Sequence, residues 1–184
     1  ARIEERRERE AERHSIRILY PGVLSSLDGL HVGWVGGRKR RATKIESHIF
    51  RDRASLKFTE EITDVPLTAE VLARRVEEHF DEHGWPSVLQ GDGDPRQTSA
   101  VFQRMLRSHR TVWYQNLPRT PQHNPVSEEG QREIRPFLPP GGAHTVVEGA
   151  SFVRAGFSTL NRRPRLYRNS KTSEELHNAS RMDT

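Results

Sequence analysis

The chain has 184 residues and a mass of 21.2 kDa, which is enough for one hydrophobic core and too short for two full domains. Only 33% of the residues are hydrophobic and 30% are charged, so the apolar residues must be concentrated in a few segments. The absence of Cys excludes disulfides and thiolate zinc sites and favours a reducing compartment. No apolar run reaches membrane-spanning length, so we expect a soluble, intracellular protein.

The basic residues are concentrated in two parts of the chain. The net charge is +5, and the isoelectric point of about 10.1 favours a polyanionic partner. Residues 38–57 hold eight basic residues against two acidic ones, and residues 151–184 hold seven against three. These clusters favour a phosphate-binding face, and a solvated charged surface is the alternative.

The first part of the chain predicts a charged arm followed by three strands. Residues 1–18 begin with interleaved Arg and Glu, a pattern typical of an exposed linker helix or arm. Residues 23–35 mix alternation with β-branched and aromatic residues, which predicts a strand with Asp28 near its middle. Residues 44–53 and 54–65 predict two further strands, which would complete an antiparallel meander.

From residue 68 onward the sequence predicts helices alternating with strands. Apolar residues at helical spacing predict a helix over residues 68–84, which would end at a capping glycine. Residues 87–90 predict a short buried strand. Thr98 or Ser99 is expected to cap a second helix, and residues 111–117 predict a fifth strand.

The last part of the chain is rich in Pro, Gly and basic residues. Residues 136–149 are expected to be a loop or mobile connector, residues 150–160 a helix, and the remaining basic residues extended. Three strands, then a helix, a strand, a helix and a strand make a mixed α/β order.

Three acidic residues lie in contexts that favour a functional role. Asp28 lies inside an apolar strand, where an unpaired carboxylate needs a compensating partner such as a cation. Asp92 directly follows the strand of residues 87–90, although Asp is also an ordinary turn residue. Glu128 falls in the first turn of a helix that Asn124 and Pro125 would begin, where Glu also favours the helix dipole.

Glu128 is followed by two arginines at helical spacing. Glu128, Arg132 and Arg135 are four and then three residues apart, so one helix face would present a carboxylate and two guanidinium groups. A metal-binding group beside phosphate-binding groups is what a nuclease-like site requires. Carboxylate oxygens without imidazole or thiolate suit Mg²⁺ or Mn²⁺.

Together these segments resemble the integrase core family, which includes retroviral integrases and many bacterial insertion-sequence transposases. Between Asp92 and Glu128 lie residues 93–127, and this interval of 35 residues is characteristic of the family. Four patches carry the resemblance, in chain order: residues 26–32 (SLDGLHV), 83–99 (HGWPSVLQGDGDPRQTS), 120–128 (TPQHNPVSE), and 160–165 (LNRRPR) followed by 171–176 (KTSEEL).

The resemblance implies an RNase H-like fold and an activity. The fold has a mixed five-stranded sheet, three antiparallel strands then two parallel, flanked by helices. We expect its catalytic core at residues 19–135, followed by a connector, helix and basic extension of the core at residues 136–184. In such DDE-type transposases and integrases, Asp28, Asp92 and Glu128 would hold two Mg²⁺ or Mn²⁺ ions for 3′-end hydrolysis and strand transfer of DNA.

The resemblance also implies partners. We expect the ends of a mobile element and target DNA as substrates, self-association as a dimer or tetramer, and a cytoplasmic, nucleoid-associated protein without a nucleotide cofactor. Because the chain begins with Ala1, we expect a fragment whose end-recognising region lies upstream. The candidate DNA contacts are Arg132, Arg135, Arg38, Lys39, Arg40, Arg41, Asn124 and His123.

Three residues depart from the family pattern, and two other functions are consistent with the sequence. Gly93 and Pro125 replace the usual Asn and Gly, and Pro136 predicts a short or kinked Glu128 helix. A catalytically inactive integrase-like domain that serves as a DNA-binding or assembly module is therefore one alternative. The other interprets the acidic pair Asp92 and Asp94 as the metal-nucleotide motif of a glycosyltransferase, but the basic charge and the interval of 35 residues to Glu128 argue against it.

Overall fold

The fold is built on one five-stranded mixed sheet. The computed structural model describes residues 20–36, 42–117 and 125–179, without the side chains of Pro125 and Tyr167. The strand order is β3-β2-β1-β4-β5, and the bounds are β1 Leu24–Val35, β2 Thr43–Asp52, β3 Phe58–Asp64, β4 Val88–Gly91 and β5 Val112–Gln115. β1, β2 and β3 pair antiparallel, whereas β4 pairs parallel with both β1 and β5. The predicted mixed sheet is confirmed.

Five α-helices accompany the sheet in the part of the chain that is described: α1 Ala69–His83, α2 Ala100–Ser108, α3 Pro125–Ile134, α4 Val146–Asn161 and α5 Ser173–Ala179. The predicted caps Gly84 and Ser99 are confirmed, and Thr68 also caps the start of α1. Thr68 accepts a hydrogen bond from Val71 N, Ser99 accepts one from Phe102 N, and Gly84 ends α1 with a positive φ of 97°. No helix among the described residues is long and apolar enough to cross a membrane.

Alternation along β1 separates the two hydrophobic cores. On one face of the sheet, Leu27 packs with residues of α1 and α2, including Val76 and Phe102. On the other face, Leu30 packs with residues of α3 and α4, including Ile134 and Val153. Because side chains alternate along a strand, Asp28 shares the α3 and α4 face with Leu30.

The structure differs from the sequence prediction at three places. Residues 53–57 form a turn, so β3 begins at Phe58 and not at residue 54. α4 begins at Val146, four residues before the predicted start, because Thr145 caps it. The basic end is not simply extended, since it forms a 3-10 turn at Leu166–Arg168 and then α5. The predicted arm at residues 1–18 lies outside the described residues.

The helix that carries Glu128 is short, as Pro136 predicts. α3 ends at Ile134 and continues as a 3-10 turn over Arg135–Phe137. Pro136 has no N–H to donate to the α-helical ladder, which explains the change. Glu128 lies in the first turn of α3.

The predicted loop before α4 is joined to the carboxyl end of β1 by backbone hydrogen bonds. Ala143, which is fully buried, donates its N–H to Val32 O at 2.8 Å and accepts from Trp34 N at 2.9 Å. Gly33 lies between these two bonds, and a Cβ there would lie 2.5 Å from Ala143 N and still closer to Ala143 O. Only glycine therefore allows this close approach of the two backbones.

We expect Gly33→Ala to lower the free energy of unfolding by about 1–3 kcal/mol, because the added methyl group must displace the Ala143 backbone. Urea unfolding monitored by tryptophan fluorescence measures the change. Gly29→Ala in the same strand is the matched control, since its nearest new neighbours are His48 ring atoms at 3.8 Å. Equal effects of the two substitutions would contradict the proposed close approach.

Candidate active site

Asp28 lies on the central strand with its carboxylate nearly buried. Its side chain faces α3, and the residue is only 8% exposed. Oδ1 accepts a hydrogen bond from Gly29 N at 2.8 Å, and Oδ2 accepts one from Gln131 Nε2 at 2.7 Å. Gln131 also donates to Gly29 O at 3.1 Å, so α3 is fastened to β1 at this carboxylate.

The electrostatic environment of Asp28 connects it to the other two predicted residues. Burial is the largest influence and raises the pKa of Asp28 to about 6, although the hydrogen bonds from Gln131 and Gly29 lower it. The negative charges of Asp92 and Glu128 raise this pKa further. The fold therefore places both Asp92 and Glu128 within electrostatic reach of Asp28.

Parallel pairing explains how Asp92 approaches Asp28. Ser26 on β1 and Gln90 on β4 form the last pair of this parallel ladder, and Asp28 and Asp92 each follow two residues later. Asp92 follows the last residue of β4 and is exposed. Its Oδ1 accepts a hydrogen bond from Asp94 N at 3.1 Å.

Asp94 is engaged elsewhere, which separates its role from that of Asp92. Arg96 grips Asp94 with two hydrogen bonds, from Nε at 2.8 Å and from Nη2 at 2.5 Å, and Arg96 also pairs with Glu46. The hydrogen bond from Arg96 is the largest of the influences that lower the pKa of Asp94. Asp94 thus stabilises the turn after β4.

The acidic residues of α3 divide between two faces of the helix. Glu128 is exposed and shares a helix face with Gln131, which lies one turn later in α3. Because Gln131 contacts Asp28, Glu128 also lies on the side of α3 that faces Asp28. Glu129 lies 3.8 Å from the guanidinium of Arg51, and Glu133 lies 2.7 Å from it. The two glutamates adjacent in sequence thus differ in their contacts.

The three carboxylates do not converge on a metal-ligand arrangement in this structure. Among the described residues, no three His, Cys, Asp or Glu side chains lie close enough together to hold a metal ion. Asp28 instead has one oxygen bound to the Gln131 amide. The donor set still fits a hard cation, because it consists of carboxylate oxygens whose mutual repulsion a cation would relieve.

The predicted arginines on α3 are exposed and close to the site. Arg132 Nε donates weakly to Glu128 O at 3.4 Å, and Arg135 Nη2 approaches Gln131 Oε1 at the same distance. Arg135 belongs to the 3-10 turn that follows α3. The other predicted DNA contacts lie outside the described residues: Arg38, Lys39, Arg40, Arg41, His123 and Asn124.

The predicted phosphate-binding faces at residues 38–57 and 151–184 do not include every basic residue of these segments. Two of their arginines are buried. Arg51 and Arg165 are 1% and 7% exposed and both bind Glu133, so neither side chain faces solvent. Arg51 also donates to the carbonyls of Leu56 and Val126 and lies over the Phe58 ring at 4.6 Å. Arg51 anchors α3 to β2, and Arg165 joins α3 to the segment that follows α4.

Sequence reasoning missed Gln131, the residue that positions Asp28. The sequence did contain a signal for this residue: Gln131 lies three residues after Glu128, so the two side chains must share a helix face. The Arg51–Glu133–Arg165 network gave no such signal. Its partners are 82 and 32 residues apart, and only the fold brings them together.

Comparison with known proteins identifies the architecture. No protein-family model matches the chain, and no curated sequence does. Solved structures do match. A chain of the simian T-cell lymphotropic virus intasome in complex with PP2A regulatory subunit B56 gamma superposes with a TM-score of 0.68 at 19% identity, over 89% of this chain and 57% of that one.

Two isolated catalytic cores match over nearly their whole length. The HTLV-2 integrase catalytic core domain in complex with magnesium gives a TM-score of 0.60 at 17% identity, over 88% of this chain and 99% of that one. The catalytic core domain of BIV integrase gives 0.63 at 17% identity, over 88% and 97%. The resemblance inferred from the sequence is confirmed at the level of architecture: the chain has the RNase H-like fold of retroviral integrase catalytic cores.

Proposed function

We propose that the chain is the catalytic core of a metal-dependent polynucleotidyl transferase of the DDE transposase and integrase kind. The observation that carries the proposal is Asp28, a buried carboxylate on the central strand whose pKa is raised in part by Asp92 and Glu128. Their order along the chain and their places on β1, after β4 and on α3 agree with the family pattern.

In this proposal Asp28, Asp92 and Glu128 hold the divalent cations. Mg²⁺ or Mn²⁺ ions, two in number, would activate the attacking oxygen and stabilise the leaving oxygen during displacement at phosphorus. Gln131 orients the Asp28 carboxylate by donating to Oδ2. Magnesium accompanies the HTLV-2 core in its solved structure, which supports this choice of cation.

The proposed reaction has two displacements at phosphorus. Water first attacks a phosphodiester at the end of the mobile element, so the P–O3′ bond breaks and the released 3′ oxygen takes up a proton. That 3′ hydroxyl then loses its proton and attacks a target phosphodiester, releasing a 3′ hydroxyl there. Arg132 and Arg135, both exposed beside the site, contact phosphates and fix the strand without reading its sequence.

The proposed complex contains more than one copy of the chain. The HTLV-2 cores are described in dimeric and trimeric forms, and the simian virus chain belongs to an intasome. We therefore propose that this chain self-associates when it acts on DNA.

One observation favours a second candidate function, a non-catalytic module for DNA binding or assembly. Asp28, Asp92 and Glu128 do not converge into a ligand set among the described residues, and Gln131 occupies one oxygen of Asp28. Nicking of supercoiled plasmid DNA in Mg²⁺ or Mn²⁺ separates the two functions. The enzyme yields open circles with 3′ hydroxyl ends, whereas DNA binding without any product would support the module.

We expect Asp28→Asn to stabilise the metal-free chain at pH 8 by about 1–2 kcal/mol. A rise of the pKa from 3.8 to about 6 corresponds to a penalty of about 3 kcal/mol for the charged form, and the asparagine loses one acceptor in exchange. Because the folded pKa is the higher one, the penalty is full above about pH 6 and disappears as the pH falls towards 3.8.

Urea unfolding in EDTA at pH 8 and pH 4.5 measures this effect, which should shrink at the lower pH. Added Mg²⁺ should stabilise the wild type and leave the variant unchanged, because the variant lacks one ligand charge. If Asp28→Asn is less stable than the wild type at pH 8, the buried charge of Asp28 does not destabilise the folded state.

A further inference from the structure

The sheet face beside Asp92 is open where β4 and β5 lie. α3 and α4 pack on β1, β2 and β3, and in the described part of the chain neither helix contacts β4 or β5. Tyr114 on β5 is paired with Gln90 on β4, so both share the face of Asp28. Val112 and Tyr114 are 60% and 49% exposed on this open face.

Arg53 lies at the border of this open face and is held in place by two buried amides. Its Nη1 donates to Gln90 Oε1 at 2.7 Å, and Gln90 Nε2 in turn donates to Asn116 Oδ1 at 2.6 Å. Gln90 is 1% exposed and Asn116 is 6% exposed. Because the amides are buried and bonded to each other, they fix the guanidinium of Arg53, which is itself half-buried.

Arg53 has no carboxylate partner among the residues that the structure describes, unlike three other arginines with little exposure. Arg51 and Arg165 bind Glu133, and Arg96 binds Asp94. Burial lowers the pKa of Arg53, as expected for a cation that is partly removed from water.

A second polar group at this place is also unsatisfied. Asn116 Nδ2 is buried and has no hydrogen-bond partner within the described ranges. Asn116 Nδ2 has almost no accessible surface, so an incoming ligand cannot reach it, and only the half-buried guanidinium of Arg53 can bind a further acceptor. The positive charge of Arg53 favours an anionic acceptor such as a phosphate.

We propose that Arg53 and Tyr114 form a contact site for the DNA strand that enters the active site, with Arg53 bound to a phosphate and the Tyr114 ring against a base or sugar. The site extends the proposed function and rests on it. Gln90 and Asp92 are two residues apart along an extended segment, so their Cα atoms are separated by on the order of 7 Å. A phosphate bound by Arg53 would therefore lie on the same face of the sheet as Asp28, towards the amino end of β1.

The charge and the ring contribute differently to binding, which gives a sharp test. Affinity for a duplex oligonucleotide with a single-stranded end is measured by fluorescence anisotropy in EDTA over a series of NaCl concentrations. Arg53→Gln should weaken binding about tenfold and lower the salt slope by about one counterion. Tyr114→Ser should weaken binding about fivefold or more at every salt concentration and leave the slope unchanged.

Two further variants serve as controls. Arg74→Gln removes the same charge from α1, where Arg74 is exposed and paired with Glu78, and should leave affinity nearly unchanged. Arg53→Lys keeps the charge and loses the planar fork, so it should restore the salt slope and only part of the affinity. Unfolding midpoints check that each variant is folded, and the exposed Tyr114 carries the test if Arg53→Gln does not fold.

The outcomes distinguish this site from the proposed function. If Arg53→Gln and Tyr114→Ser bind DNA like the wild type while the wild type cleaves DNA, the contact site is wrong and the proposed function stands. If the wild type neither binds nor cleaves DNA, both are overturned. A selective loss in the two variants, with Arg74→Gln unchanged, supports the site.

Discussion

Asp92→Asn is expected to abolish metal-dependent DNA cleavage, whereas Asp94→Asn is expected to leave most of it. Both residues lie in the turn after β4, but Asp92 is exposed beside Asp28 and Asp94 is held by Arg96. Loss of a group that orients a metal ligand costs about 10–100-fold, so loss of a ligand itself should cost at least about a hundredfold. The rate of plasmid nicking in Mn²⁺ measures the difference.

The helix α3 offers a second matched pair for the same prediction. Glu128→Gln should reduce nicking as strongly as Asp92→Asn. Glu128 lies on the same helix face as Gln131, and this face is directed towards Asp28. Glu129→Gln should retain cleavage, since Glu129 is 3.8 Å from Arg51 on another face. The reverse result in either pair would overturn the assignment of the three carboxylates.

The control variant Asp94→Asn is expected to be less stable than the wild type, and this loss of stability must be separated from an effect on catalysis. Asp94→Asn removes the charge that Arg96 grips, so we expect the free energy of unfolding to fall by about 1 kcal/mol. Nicking is therefore measured well below the unfolding midpoint of every variant. Under those conditions a remaining loss of rate reports on the site itself.

The sequence allowed the strands that carry the site to be predicted, because their signals are local. Alternating apolar residues and β-branched residues predict β1. The capped helix α1, which ends before residue 87, predicts that the next apolar run is the strand β4. Parallel pairing of β1 with β4 then follows from the fold and places Asp92 beside Asp28. The position of Glu128 followed from Pro125 and the interval of 35 residues, 93–127.

The early start of α4 was missed although its signal is local. Thr145 accepts from Glu148 N at 3.1 Å, and the Glu148 carboxylate accepts from His144 N at 2.8 Å. This arrangement resembles a capping box, with the Glu148 carboxylate bound to the N–H one residue before the cap, and its sequence pattern is Thr followed by Glu three residues later. The Pro and Gly residues before it dominated the prediction of a loop across residues 136–149.

The burial of Arg51 had no comparable signal in the sequence. A basic residue at a strand end is normally exposed, and this one is buried because Glu133, 82 residues away, provides the opposite charge. The helix face of Gln131 could be inferred from its spacing to Glu128, but its hydrogen bond to Asp28 joins residues 103 positions apart. Long-range polar pairs of this kind depend on the completed fold and are not encoded in local pattern.

Glu133→Gln is expected to be among the most destabilising single changes in the chain. Glu133 binds two guanidinium groups, Arg51 at 2.7 Å and Arg165 at 3.0 Å, and both arginines are nearly buried. Removing one partner of a buried ion pair leaves the other charge uncompensated, which typically costs about 3–5 kcal/mol. For a chain of this length, a loss of about 3 kcal/mol lowers the unfolding midpoint by roughly 6–12 °C.

Glu78→Gln is the matched control for this prediction, because Glu78 forms an exposed pair with Arg74 at 2.9 Å on α1. It should cost less than about 0.5 kcal/mol. Hydrogen exchange adds a local readout, since α3 should lose protection before the sheet does if Glu133 is what anchors it to Arg51. A loss below about 1 kcal/mol for Glu133→Gln would mean that Glu129, 3.8 Å from Arg51, compensates the charge. In that case the helix that carries Glu128 is held chiefly by its apolar contacts around Ile134, and the ion pairs determine only its orientation.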